Sequence, residues 1–181
     1  RGDESLTPSI DIRLASMVRA MTNVIGPAIE PGNSLAHEQA RLMVGQLNMI
    51  ATQWRRVFPY ANLCLDDLCQ TVKQLQPAGG PATMAAAATL TGALETRNMV
   101  DPEKQYQEAS RALEALVRAV AMDGNETFGR AFEQTALQFG LRQSGRDLAW
   151  FAMSGFDVDA DSRPSIDEML NSRNSPTGST K

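Results

Sequence analysis

With 181 residues, 43% of them hydrophobic and 21% charged, the chain has the length and balance of one globular domain with a sizeable core. A formal net charge of −4 without any Lys/Arg run argues against a nucleic-acid partner. No apolar stretch approaches the ~18 residues of a membrane-spanning helix, so a cytoplasmic protein with no membrane partner is expected. The chain starts at Arg1 with neither methionine nor an apolar leader, which predicts a cut end, and Arg1-Gly2-Asp3 acquires meaning only if a loop presents it.

Residues 8–29 read as a first helix. Ile10, Leu14, Met17, Val18, Met21 and Ile25 gather on one side and Arg13, Ser16, Arg19 and Asn23 on the other, while Pro8 suits a first turn. Gly26-Pro27 predicts a kink or an end, because proline brings no N–H to the helical ladder. Glu30-Pro31-Gly32 is a turn, after which Asn33 or Ser34 can cap a longer helix. On that helix, at about 100° per residue, Leu35, Leu42, Met43, Met49, Ile50, Trp54 and Val57 share a face with Gln39, Gln46 and Gln53 in its middle. His37, Arg41, Asn48 and Arg55 fall opposite. An amide buried without partners costs roughly 1–3 kcal/mol. The pattern therefore predicts that residues 34–57 form the central, most buried helix. Its polar seam would either fix helix register or line a cavity that recognises carbonyl, hydroxyl or amide groups.

Pro59 should break or bend this pattern, and a third helix follows with Leu65, Leu68, Cys69, Val72 and Leu75 inward and Asp66, Asp67 and Lys73 outward. Cys64 and Cys69 stand about 140° apart around its axis, too divergent for an unstrained disulfide, so reduced thiols of an intracellular protein are expected. Gln76-Pro77-Ala78-Gly79-Gly80-Pro81 is the clearest linker. The alanine-rich stretch from Ala82 to Leu94 has a thin face that allows close helix approach. Asp101-Pro102-Glu103 marks a helix start, and the helix to about Met122 packs Tyr106, Leu113, Leu116, Val117 and Val120. Asp123-Gly124-Asn125 stops it, and Asn125 can cap a last long helix carrying Phe128, Phe132, Phe139 and Trp150. No alternating β-branched run argues for a strand. The fold class is all-α: an antiparallel bundle of five or six helices over residues 1–156, followed at 157–181 by an acidic linker, a short capped helix and a polar tail.

Arg146 falls on the aromatic face of the last long helix, where a guanidinium needs a carboxylate, a carbonyl or an anionic ligand. Asp147, Glu133 and Asp11 are the candidate ion partners. In the ligand-binding alternative, Arg146 faces an acid and Gln39, Gln46 and Gln53 orient polar groups of a small molecule. His37 is the one histidine, so the two Glu-x-x-His pairs of a di-iron centre cannot be supplied, and there is neither a Walker loop nor a dinucleotide fingerprint. No cofactor is implied.

The segment Asp157-Val158-Asp159-Ala160-Asp161-Ser162-Arg163-Pro164-Ser165-Ile166-Asp167-Glu168 resembles an EF-hand calcium loop. The resemblance implies a cation held by Asp157, Asp159, Asp161, the Arg163 carbonyl and a bidentate Glu168. It departs from that pattern at loop position six, where Ser162 replaces glycine, and at position eight, where Pro164 replaces an apolar side chain. The same letters also spell a capping box, Ser165-Ile166-Asp167-Glu168, with serine capping and glutamate reaching back.

Two function classes follow. The first is a helical bundle, non-catalytic, working through a protein interface as a homo-oligomer or an accessory subunit. The second is a small-molecule binder or enzyme with the glutamine–arginine pocket. The first draws on Leu137, Leu141 and Leu148, which lie about 180°, 220° and 200° from Phe128 and give the last helix a second apolar side. With the central place claimed by the glutamine helix, that side is expected to join a symmetric homodimer. Its rival is a helix broken at Gly140 or Gly145.

Overall fold

The starts of all the long helices but one are marked by short polar side chains. The computed structural model describes residues 8–152 and 164–172. Ser9 Oγ accepts the N–H of Ile12 at 3.4 Å and opens α1 (Ile10–Ala20). A π-helical turn (Met21–Ile25) and α2 (Gly26–Ala28) continue it without interruption to Ala28. Gly26 donates its N–H to Met21 O, five residues back, and the run ends at Ala28, beyond which Ile29 takes extended backbone. Asn33 Oδ1 takes the Ala36 N–H at 3.0 Å ahead of α3 (Ser34–Lys73). Then follow α4 (Pro81–Glu95), α5 (Pro102–Asp123) capped by Asp101, α6 (Glu126–Ala152) capped by Asn125, and α7 (Ile166–Ser172). Helices take up 84% of the described residues and no strand is among them, so the chain is all-α. No helix among these residues is long and apolar enough to cross a membrane.

The chain does not break at Pro59: α3 runs unbroken for 40 residues. Pro59 is exposed, where water can serve the carbonyl that its missing N–H leaves one turn back. By their contacts, residues 8–56 with 151–152 form one unit, and residues 57–150 with 164–172 form another.

The first unit is a hairpin of α1 and the first part of α3. Asp11 accepts the Trp54 indole N–H at 2.9 Å and pairs with Arg55, while Met21 to Pro27 lie along His37 to Val44, so the two helices run antiparallel. The inward side of α3 is therefore the one that carries His37, Ala40 and Val44. This corrects the expected phase: Leu35, Gln39, Leu42, Met43, Gln46 and Ile50 are exposed, and within residues 34–57 only Gln53 is buried. Residues 34–57 are not the central helix. Burial on α3 concentrates further along, at Ala61, Cys64, Leu65, Leu68 and Thr71.

The second unit holds the core. Leu68, Ala87, Leu90, Ala109, Ala112, Leu116, Phe128, Phe132 and Phe139 form one buried cluster. Small side chains on α4 and α5 let these helices approach closely, with Ala87 opposite a row of Ala109, Ala112 and Ala119. Alanine contacts bring little hydrophobic energy per residue, so polar groups at both ends fix the pair. At the α4 start, Gly80 has no capping side chain, and Asp123 from the end of α5 takes that role. Its carboxylate accepts the N–H of Ala82 (2.8 Å) and of Thr83 (2.9 Å) and the Thr83 hydroxyl (2.6 Å). Gly79 sits so close that a Cβ there would lie 2.8 Å from Asp123 O. At the other end, the buried Gln105 amide donates to the carbonyls of Ala93 (3.0 Å) and Thr96 (2.8 Å) and accepts the Asn98 N–H (2.8 Å).

Gln105→Ala should lower stability by about 1–3 kcal/mol, because it orphans two carbonyls and one N–H at once; chemical denaturation measures it. Asp123 is held below its ordinary 3.8 by the Thr83 hydroxyl and the two backbone N–H groups. A depressed carboxyl stabilises the fold above its unfolded value and loses that contribution as the pH falls through its folded value. Asp123→Asn should therefore lower the melting temperature at neutral pH and shrink the wild-type advantage below about pH 4, followed by circular dichroism.

Candidate functional site

Two features of the second unit could carry function: a polar network between α3 and α6, and an apolar cleft beside it on α5 and α6. The network starts from Asp67, which is half-buried and not on an outward face as the periodicity suggests. Arg146 donates to its Oδ2 at 2.6 Å with both side chains 14% exposed, and Arg142 grips the other side through Nε and a second nitrogen at 3.1–3.2 Å. Arg146 thus has a carboxylate partner, as its aromatic surroundings require. The partner is Asp67 and not Asp147, Glu133 or Asp11. Arg142 also reaches the Thr71 hydroxyl (3.1 Å), and Arg146 reaches Gln143 Oε1 (3.3 Å).

Further along the same helix pair, Tyr60 and Gln143 both donate to Asp147 Oδ1 at 2.8 Å, and the Tyr60 ring stacks on Trp150 with centroids 4.5 Å apart. Burial pushes the Tyr60 phenol far above its ordinary range, with Asp147 adding to it, and burial pushes the Cys64 thiol up as well. Tyr106 is raised by burial to about 12. Burial thus favours the protonated form of the thiol and of both phenols near neutral pH. Burial alone would also raise Asp67, but Arg142 and Arg146 outweigh it and hold it below the usual carboxylate value. Both carboxylates of this network, Asp67 and Asp147, accept donors from the facing or the same helix. The network links α3 to α6, with Arg142 at its solvent-facing edge.

The other sequence candidates separate. Gln39 and Gln46 are exposed, so they line no buried seam, and Gln53 is buried and has an interaction partner. His37 is half-buried along a cleft of about 560 Å³ shared with Met21, Thr22 and Arg41. Both cysteines are free thiols, Cys64 buried and Cys69 half-buried. Asp157, Asp159 and Asp161 lie outside the described residues. Glu168 makes the capping box: its carboxylate accepts the Ser165 N–H at 2.7 Å, and Ser165 Oγ accepts the Glu168 N–H at 3.2 Å. Among the described residues, no group of three or more His, Cys, Asp and Glu side chains could hold a metal ion.

The apolar cleft has a volume of about 690 Å³. Val117, Val120, Phe132, Leu137 and Leu141 form its walls, and Gly129, Ala136 and Gly140 leave it open for close approach by another helix. α6 passes through Gly140 and Gly145 without a break, so its phenylalanine and leucine sides belong to one rod. Leu137, Leu141 and Leu148 are 62%, 75% and 46% exposed. Sequence reasoning found these leucines. It missed Val117, expected inward and 47% exposed, and it missed Asp67 and Gln105. Compared with family models, curated proteins and solved structures, the chain matches none.

Asp67→Ala leaves Arg146 desolvated and without its carboxylate. We expect a loss of about 2–3 kcal/mol in urea denaturation, below the ~3–5 kcal/mol of a fully buried pair because Arg142 retains access to water. A substitution that leaves the midpoint in place would show that the pair is screened and structurally idle.

Proposed function

We propose that this protein works by association and not by catalysis, as a homodimer joined through the leucine side of α6. The observation that carries the reading is the unbroken α6, which buries Phe128, Phe132 and Phe139 on one side and exposes Leu137, Leu141 and Leu148 on the other. A helix apolar on two sides either lies inside a bundle or is covered by another chain, and the exposure of these leucines supports the second. The neighbouring cleft adds Val117 to the same apolar surface, and its glycines and alanine remove the steric obstacle to a second helix. A two-fold contact is favoured because one patch then serves both partners.

Light scattering of the full chain at micromolar concentration should give a mass above 19.6 kDa, and Leu141→Glu should lower it without changing helix content. A glutamate placed in an apolar contact loses its hydration and finds no partner. A mass that Leu141→Glu leaves unchanged would falsify this contact.

A further inference from the structure

The hairpin of the first unit holds a cleft that an irregularity of its own backbone opens. On α1, Leu14 is buried and Val18 and Met21 are half-buried, a spacing that α-helical geometry would continue to Ile25. The π-helical turn lengthens that step to five residues, so Gly26 is half-buried in place of Ile25, which is 48% exposed. A large side chain is thereby withdrawn from the inner side, and the residue in its place has none. Even a Cβ at Gly26 would lie 3.0 Å from Met21 O. The space left is the cleft of about 560 Å³ between this turn and α3, within the roughly 300–1,000 Å³ of small-molecule sites. Single π turns inside α-helices recur at functional sites, and here the turn exchanges an apolar contact for a hollow.

Two kinds of wall meet in this cleft. Met21, Pro27 and Val44 supply apolar surface, and Thr22, His37 and Arg41 bring polar groups. Among the described residues, no side-chain hydrogen bond or ion pair engages these three, whereas Arg55, Arg97, Arg142 and Arg146 each hold a carboxylate. His37 and Arg41 stand one turn apart on α3, so the donors of both can reach one group. A guanidinium presents two parallel N–H groups, which fit the two oxygens of a carboxylate. We infer that the cleft binds a small organic acid, its carboxylate against Arg41 and His37 and its apolar body along Met21, Pro27 and Val44. The site shares no residue with the leucine side of α6, so neither reading depends on the other.

The chain has one histidine, so the imidazole resonances in a proton NMR spectrum report on His37 alone. At neutral pH and constant ionic strength, sodium hexanoate should move them along a saturable curve. Hexanol and inorganic phosphate should each bind at least about tenfold more weakly, because each offers only one half of the match. Arg41→Gln should weaken hexanoate about tenfold. That variant should keep the circular dichroism of the wild type, since Arg41 is exposed. Ala40→Phe, which fills the cleft from the α3 side, should abolish the saturable movement. A linear response to hexanoate, or a curve that Arg41→Gln leaves unchanged, overturns the inference. Phosphate bound as tightly as hexanoate overturns the assignment to an organic acid, and hexanol bound as tightly overturns the role given to Arg41 and His37. Leu141→Glu should give the wild-type hexanoate curve, which keeps this test separate from the α6 contact.

Discussion

The close pairing of α4 with α5 is the constraint on which the rest of the second unit is built. Both contact faces are mostly alanine, which shortens the distance between the axes but leaves few large side chains to lock one helix against the other. The lock is polar. Asp123 ties the start of α4 to the end of α5, and Gln105 ties the end of α4 to the beginning of α5, so the pair is stapled at both extremes of its length. Thr83 adds a buried hydroxyl bond to Ala119 O near one staple. Leu90 and Leu116 then have a fixed surface, against which Phe128, Phe132 and Phe139 pack with well-defined partners.

Between α3 and α6 the same division of labour recurs with charge in place of neutral amides. One carboxylate, Asp67, receives two guanidinium groups, and a second, Asp147, receives a phenol and an amide. Such networks tolerate no shift along the helix axis, because each donor has one geometry in which it is satisfied. The cost of desolvating these ions is offset by that mutual satisfaction. Arg97 with Asp66, 2.6 Å apart, repeats the device where the chain leaves α4.

Local signals were the legible ones. Asp101, Asn125 and the Ser165–Glu168 box act within three residues of themselves, so nothing distant had to be known to read them. The phenylalanine side of α6 and its leucine side were also readable from spacing. The first part of α3 was misread because it has two apolar stripes: Ala40 and Val44 on one, Leu35 and Leu42 on the other. The larger side chains drew the assignment to the stripe that is exposed. Periodicity also assigned Asp67 to the outside, since it reports which side a residue occupies and not whether an arginine 79 residues away meets it there. Gln105 left no trace at all, being one glutamine on a helix rich in polar residues. Pro59 stands where a proline is tolerated, on an exposed side, and a rule that treats every internal proline as a breaker cannot see that exposure.

The indole groups have a consequence of their own. Trp54 sits in the hairpin unit with its N–H on Asp11, and Trp150 sits in the core unit stacked on Tyr60, so each unit carries one intrinsic fluorophore in a different environment. Removing either indole leaves an emission signal that belongs to the other unit alone. The native chain therefore contains, without labelling, the optical means to ask whether its two halves melt together or in turn.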